Sequence, residues 1–236
     1  MARANKNKKN KKLPMSGSEP MFTCAPFGSS KYIHRTNCYS YAIGRLKRRA
    51  ESNKLQPGNL SGDLGTDFSL STCHPAATRA RNDLRASKMG CEIDIDATCP
   101  VGYSKAILML DKNSDYHFYR QNGDVLYGVK QDDTKASIAA MFKVPLANVV
   151  TTLNKGQKLK IGDCVRVLKT GVWSHKRGTA YGPSLYDASN NLIFDPRFSD
   201  NNYDGLNYDV YCSSFCVKRP VECTKPRKKK TTLKTT

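Results

Sequence analysis

No run of apolar residues approaches the roughly 18–20 that a membrane-spanning helix needs. The basic first residues are followed only by Leu13-Pro14-Met15-Ser16-Gly17, not by the apolar stretch of a secretory signal. The expectation is a chain with no membrane span and no signal peptide. Acidic residues are scarce, 20 Asp and Glu against 39 Lys and Arg, so the formal charge is +19. That imbalance sits mostly in two tails. Met1–Lys12 carries six bases and no acid, Val217–Thr236 carries eight bases and only Glu222, and the centre keeps +6. No aromatic-rich basic motif accompanies the tails, which argues against sequence-reading nucleic-acid recognition. Zinc-ligand spacing is absent too: His74 with Cys73, Cys91 and Cys99 fits no zinc pattern, so neither a metal nor another cofactor is expected.

What is present is a globular centre. Hydrophobic residues make up 39% of the 236, enough for a sizeable core. Nine cysteines are many for a reducing compartment, and the odd count leaves at least one thiol unpaired within the chain. If Cys38 is that thiol, eight remain, with Cys91/Cys99 and Cys212/Cys216 close enough in sequence to bridge locally.

The apolar spacing predicts a helix over Asn37–Ser52 with Asn37 as N-cap, and a second over Ala76–Lys88. Strands are expected at Ser104–Leu110, Tyr116–Gln121, Val172–His175 and Asn191–Asp195. Residues 125–168 read as strand, helix, helix, strand, the second helix starting at Leu146 after Pro145. Residues 1–20 and 218–236 read as basic flexible arms.

Two histidines frame the 125–168 segment. His117 and His175 are 58 residues apart, and removing the 42 residues Tyr127–Leu168 leaves 16, which suits two antiparallel strands of one sheet. Cys38 at a helix start would feel the helix dipole, which lowers a thiol pKa. A histidine within reach could take its proton, and a second could orient the first. Each residue also has a plain alternative: a buried cysteine is a small hydrophobe, and a histidine between aromatics can be a satisfied core residue.

Asn37-Cys38-Tyr39-Ser40-Tyr41-Ala42, Gln56-Pro57-Gly58-Asn59-Leu60 and the two histidine strands together resemble papain-like cysteine hydrolases of the NlpC/P60 and CHAP type. The resemblance implies an α+β fold, with a papain-like antiparallel sheet and N-terminal helices over residues 21–124 and 169–217. It would make Cys38 the nucleophile, His117 the base and His175 the orienting residue in amide-bond cleavage.

Tyr127-Gly128-Val129-Lys130-Gln131-Asp132-Asp133-Thr134, Ser137-Ile138-Ala139, Phe142-Lys143-Val144, Asn154 and Gly156–Asp163 resemble a LysM repeat, a βααβ module over 125–168. That resemblance implies a groove for N-acetylglucosamine-containing glycans near Asp133, Thr134, Asn154 and Gly156. Asp132 stands where the family usually has Gly, and the segment after Asn154 is short.

The combination is similar to virion-associated proteins of large nucleocytoplasmic DNA viruses. It implies a virion component made in a host cytoplasm and acting on a cell-wall or peptidoglycan-like polymer. The alternative is a minor capsid protein whose basic arms join capsid proteins or contact nucleic acid without reading sequence.

Overall fold

The computed structural model describes residues 11–23, 25–46, 54–65, 68–151 and 157–219. It is a mixed α+β fold. A six-stranded sheet has the order β1 (Gly90–Ile93), β11 (Val210–Lys218), β2 (Tyr103–Asp111), β3 (Asp115–Gln121), β7 (Trp173–Lys176), β8 (Pro183–Ser184), and every pairing in it is antiparallel. Helices α1 (Cys38–Ala42) and α2 (Cys73–Ala86) cover one face, where Tyr39, Ala42, Ala76, Ala80 and Leu84 pack on Leu108, Phe118 and Phe215. The other face carries Ile107, Met109, Tyr119, Trp173, Tyr203 and Tyr208, with the short pair β9 (Asn202–Tyr203) and β10 (Leu206–Asn207) beside it.

The first helix is much shorter than its apolar spacing predicts. Asn37 caps it, its Oδ1 accepting from Ser40 N at 3.0 Å and Ser40 Oγ at 2.8 Å. Gly44 then ends it at φ +70°. The Gly44 N–H donates to Tyr41 O and the Arg45 N–H to Ser40 O, the two bonds of a Schellman stop. The rest of the predicted span, from residue 47 onward, lies outside the described residues.

Strand β11 lies inside the sheet, between β1 and β2, although no strand is expected there. Its alternation is hidden by Ser213 and Ser214 and by a register shift between Tyr211 and Ser213. The expected strand over Asn191–Asp195 does not form. A Tyr186–Leu192 bridge, the bonds between Asn191 and Asp187 and the backbone bonds of Ile193 hold that segment, before a 3₁₀ turn at Pro196–Phe198. Residues 11–20, expected as part of a free arm, are packed: Leu13 is buried and its carbonyl accepts from Gln121 Nε2 at 3.0 Å.

The cysteines pair over long range rather than locally. Cys73 bridges Cys212, joining the start of α2 to β11, and Cys99 bridges Cys216. Phe215 and Val217 face the helices, so Cys216 between them turns to the opposite face. Cys91 and Cys164 are exposed free thiols.

Between β3 and β7 the chain builds a second sheet of β4 (Val125–Gly128), β6 (Cys164–Val167) and β5 (Val149–Val150), in that order, with helix α3 (Lys135–Phe142) against it. The second helix expected here is one 3₁₀ turn, Leu146–Asn148. The β-branched pair Val149-Val150 goes into an edge strand instead, Val149 opposite Val167. This small core is continuous with the larger body through Phe22, Val172, Leu185 and Phe194.

One buried carboxylate holds the helical face together. Asp83 on α2 is fully buried and accepts five hydrogen bonds, from Tyr39 Oη, Gly58 N, Leu60 N, Ser61 N and Ser61 Oγ, all between 2.8 and 2.9 Å. Gly58 is required in that turn: it has φ +102°, and a Cβ there would meet Asp63 O at 2.1 Å. Asp83→Ala would strand these donors and is expected to cost at least ~3 kcal/mol. A urea titration checks this, as a fall in midpoint at unchanged slope.

Candidate functional site

The site begins with two adjacent strands. Tyr119 on β3 lies opposite His175 on β7, so His117, two residues back on β3, is a diagonal neighbour on the same face. Their side chains meet, His117 Nε2 lying 2.9 Å from His175 Nδ1. His175 Nε2 lies 3.0 Å from the carbonyl of Tyr186. A carbonyl only accepts, so His175 carries its proton on Nε2 and offers Nδ1 as a lone pair. His117 then donates from Nε2, and its Nδ1 is the basic position.

Aromatic packing fixes both rings. Tyr208 stacks on His117 at 4.8 Å between centroids, and Tyr119 stacks on His175 at 5.1 Å. Burial holds His117 well below the ordinary histidine range, with His175 and Arg177 pushing the same way. Burial brings His175 down to about 4, against a raising effect from the Tyr186 carbonyl. Both imidazoles are therefore neutral at pH 7. His117 lines a cleft of about 250 Å³ with Asp115, Arg177, Tyr181, Tyr203 and Tyr208.

Cys38 lies elsewhere. The flanking residues of β3, Tyr116 and Phe118, turn toward α1 and α2, and Cys38 packs in the same cluster. His117, between them in sequence, turns to the opposite face. The Cys38 thiol donates to Tyr116 O at 3.9 Å, and no hydrogen bond joins it to either histidine. Burial, the largest influence, pushes its pKa up to about 12; Asp115 adds to the rise, and the Phe118 N–H opposes it. A helix of five residues at the site does not outweigh desolvation of the thiolate. The structure thus brings His117 and His175 together and leaves out Cys38, and the thiolate–imidazolium pair expected from the spacing is replaced by neutral groups.

A second cavity, about 640 Å³, opens in the 125–168 segment between residues 130–135 and 157–161. Asp133 and Thr134 border it, but their side chains serve the fold. Asp133 Oδ2 accepts from Tyr127 Oη at 2.9 Å and Lys130 N at 2.8 Å. Thr134 caps α3 in a reciprocal box with Ser137. Asp132 has φ +63°, the left-handed position for which glycine is the easy choice and Asp a tolerated one. Asn154 and Gly156 lie outside the described residues. The groove residue missed in the sequence is Ile161, 71% exposed on a turn. A single apolar residue between Lys160 and Gly162 has no periodic signal to reveal it.

Two outcomes follow from the geometry. Folding keeps both histidines neutral, so below pH 6.5, their ordinary value, the unfolded chain binds more protons than the folded one. Stability present above pH 6.5 is therefore lost as pH falls, for His175 through about 4, which at pH 5 costs about 2 kcal/mol for that ring, and His117 acts in the same direction. Urea midpoints at pH 7 and pH 5 measure the loss, and the double variant His117→Gln/His175→Gln is expected to flatten it. Iodoacetamide with mass spectrometry is expected to label Cys91 and Cys164 quickly and native Cys38 slowly, with no change in the Cys38 rate in His117→Ala.

Comparison with known proteins adds no relative: no family model matches the chain, and no curated protein and no solved structure matches it.

Proposed function

We propose that this protein is a glycan-binding protein that takes N-acetylglucosamine-containing chains in the groove between residues 130–135 and 157–161. The observation that carries the reading is the position of that 640 Å³ cavity. It lies between the first strand–helix loop and the segment before the last strand of the module, where the LysM resemblance puts the sugar groove. Exposed Ile161 offers an apolar contact for a sugar face or an acetyl methyl group, and Lys130, Lys135, Lys158 and Lys160 line the groove. Because Asp133 and Thr134 are held by internal bonds, they act as rigid walls, and recognition falls to the loop backbone and Ile161.

A second reading, amide hydrolysis by Cys38 with His117 and His175, is favoured by one observation, the 2.9 Å histidine pair. The raised thiol and the strand alternation weigh against it. Either activity would suit a component of a virion shell that meets a cell-wall polymer.

Soluble chitin oligosaccharides titrated by calorimetry are expected to bind saturably. Ile161→Asp should weaken binding about tenfold, by loss of buried apolar area, whereas Cys38→Ser should leave it unchanged. Equal binding by wild type and Ile161→Asp would sink the glycan reading. Release of peptides from peptidoglycan by wild type, lost in both Cys38→Ser and His117→Ala, would move the assignment to the hydrolase.

A further inference from the structure

Away from both cavities, one buried arginine and one half-buried arginine lie side by side without an ion pair among the described residues. Arg120 on β3 is 6% exposed. Its guanidinium donates from Nη1 to Tyr41 O at 3.3 Å, and Nε is buried with no hydrogen-bond partner among the described residues. The guanidinium lies 3.9 Å over the Tyr41 ring. Tyr41 is no phenolate to balance it, since burial raises the pKa of that hydroxyl. Arg219, just past β11, donates from Nε to Ser104 Oγ and from Nη2 to Ala42 O at 3.4 Å. Its Nη1 faces Gly44, where an added Cβ would lie 3.1 Å away. Burial, with the charge of Arg120 behind it, brings Arg219 down to about 9, against smaller raising effects from Tyr41 and Glu19. Among the described residues neither arginine forms an ion pair.

Both line one cavity of about 610 Å³, together with Glu19, Phe27, Asp124 and Arg166. The two carboxylates there are already engaged. Asp124 pairs with Arg166 at 2.6 Å and accepts from Lys169 N at 3.0 Å. Glu19 accepts from Ser16 N, Ser16 Oγ and Gly17 N. With three arginines against two carboxylates, the cavity wall keeps a net positive charge, and the buried Arg120 guanidinium has an Nε with no hydrogen-bond partner, an arrangement that is costly for a buried cation.

We propose that this cavity is an anion site in which Arg120 and Arg219 bind a phosphoryl group. The two guanidinium groups come from different segments, β3 and the chain just past β11, and approach the cavity from separate sides. A tetrahedral oxyanion can accept from both, whereas a planar carboxylate fills one fork. The cavity exceeds a bare ion in size, and Phe27 in its wall leaves room for the organic part of a phosphate ester. The site is independent of the glycan groove and of the histidine cleft.

The test uses the full-length, oxidised protein. Inorganic phosphate is titrated at constant ionic strength, with acetate in parallel, and followed by thermal unfolding and calorimetry. The expected result is a saturable rise in Tm with phosphate and none with acetate. Arg219→Gln should weaken phosphate binding about tenfold or more, the loss of charge-assisted hydrogen bonds. Phenylglyoxal labelling of the unsubstituted protein does not depend on that variant folding; phosphate should protect Arg219 and leave Arg177 reactive. A response matched by acetate, unchanged in Arg219→Gln, or without protection of Arg219 would overturn the proposal. Glycerol 2-phosphate separates the sources of the group: binding like phosphate identifies an ester-accepting site, and exclusion identifies one for the free ion.

Discussion

Asp83 is fully buried and has no ion pair among the described residues, yet it accepts five hydrogen bonds from two other segments of chain. A carboxylate in that position is stable only while every donor stays in place. That condition fixes the turn at Gly58–Ser61 against α2 and, through Tyr39, fixes α1 against both. Asn37 completes the corner by capping α1 with its oxygen and giving Nδ2 to Leu55 O at 2.8 Å. The placement of Cys38 follows from this frame, because its two neighbours in the chain are both tied down.

From there the sheet decides the chemistry. A strand sends successive side chains to opposite faces, so a helix packed on Tyr116 and Phe118 does not also meet His117 on that face. The two sides differ in character. The helical side is an apolar core containing a neutral thiol, and the other is an aromatic box around two neutral imidazoles whose protons the Tyr186 carbonyl orders. Desolvation dominates on both sides, raising the thiol and lowering the histidines, so the thiol and the imidazoles do not become a proton-transfer pair.

The sequence was legible where one local rule acts alone. Asn37 as a cap, the helix before Gly90, the two central strands and the pairing of the histidine strands could all be read from spacing. Gly44 was a legible stop signal that the apolar recurrence of Leu46 and Ala50 obscured. What could not be read depends on partners distant in the chain. Strand β11 is recognisable only once β1 and β2 flank it, and Cys73–Cys212 and Cys99–Cys216 only once β11 is in place. The arginine pair was equally invisible, since Arg120 and Arg219 stand 99 positions apart and neither belongs to a motif.

The position of β11 inside the sheet also bears on how the protein is made. β1 and β2 are neighbours in the chain but are not paired with each other; the strand between them is translated more than a hundred residues later. A nascent chain therefore exposes two unfilled strand edges, with Cys73 and Cys99 lacking partners, until residues 210–218 leave the ribosome. A chain interrupted before that point holds two open edges suited to pairing with other chains. The strand that closes the sheet is the last of its six to be synthesised, and both disulfides then secure it there.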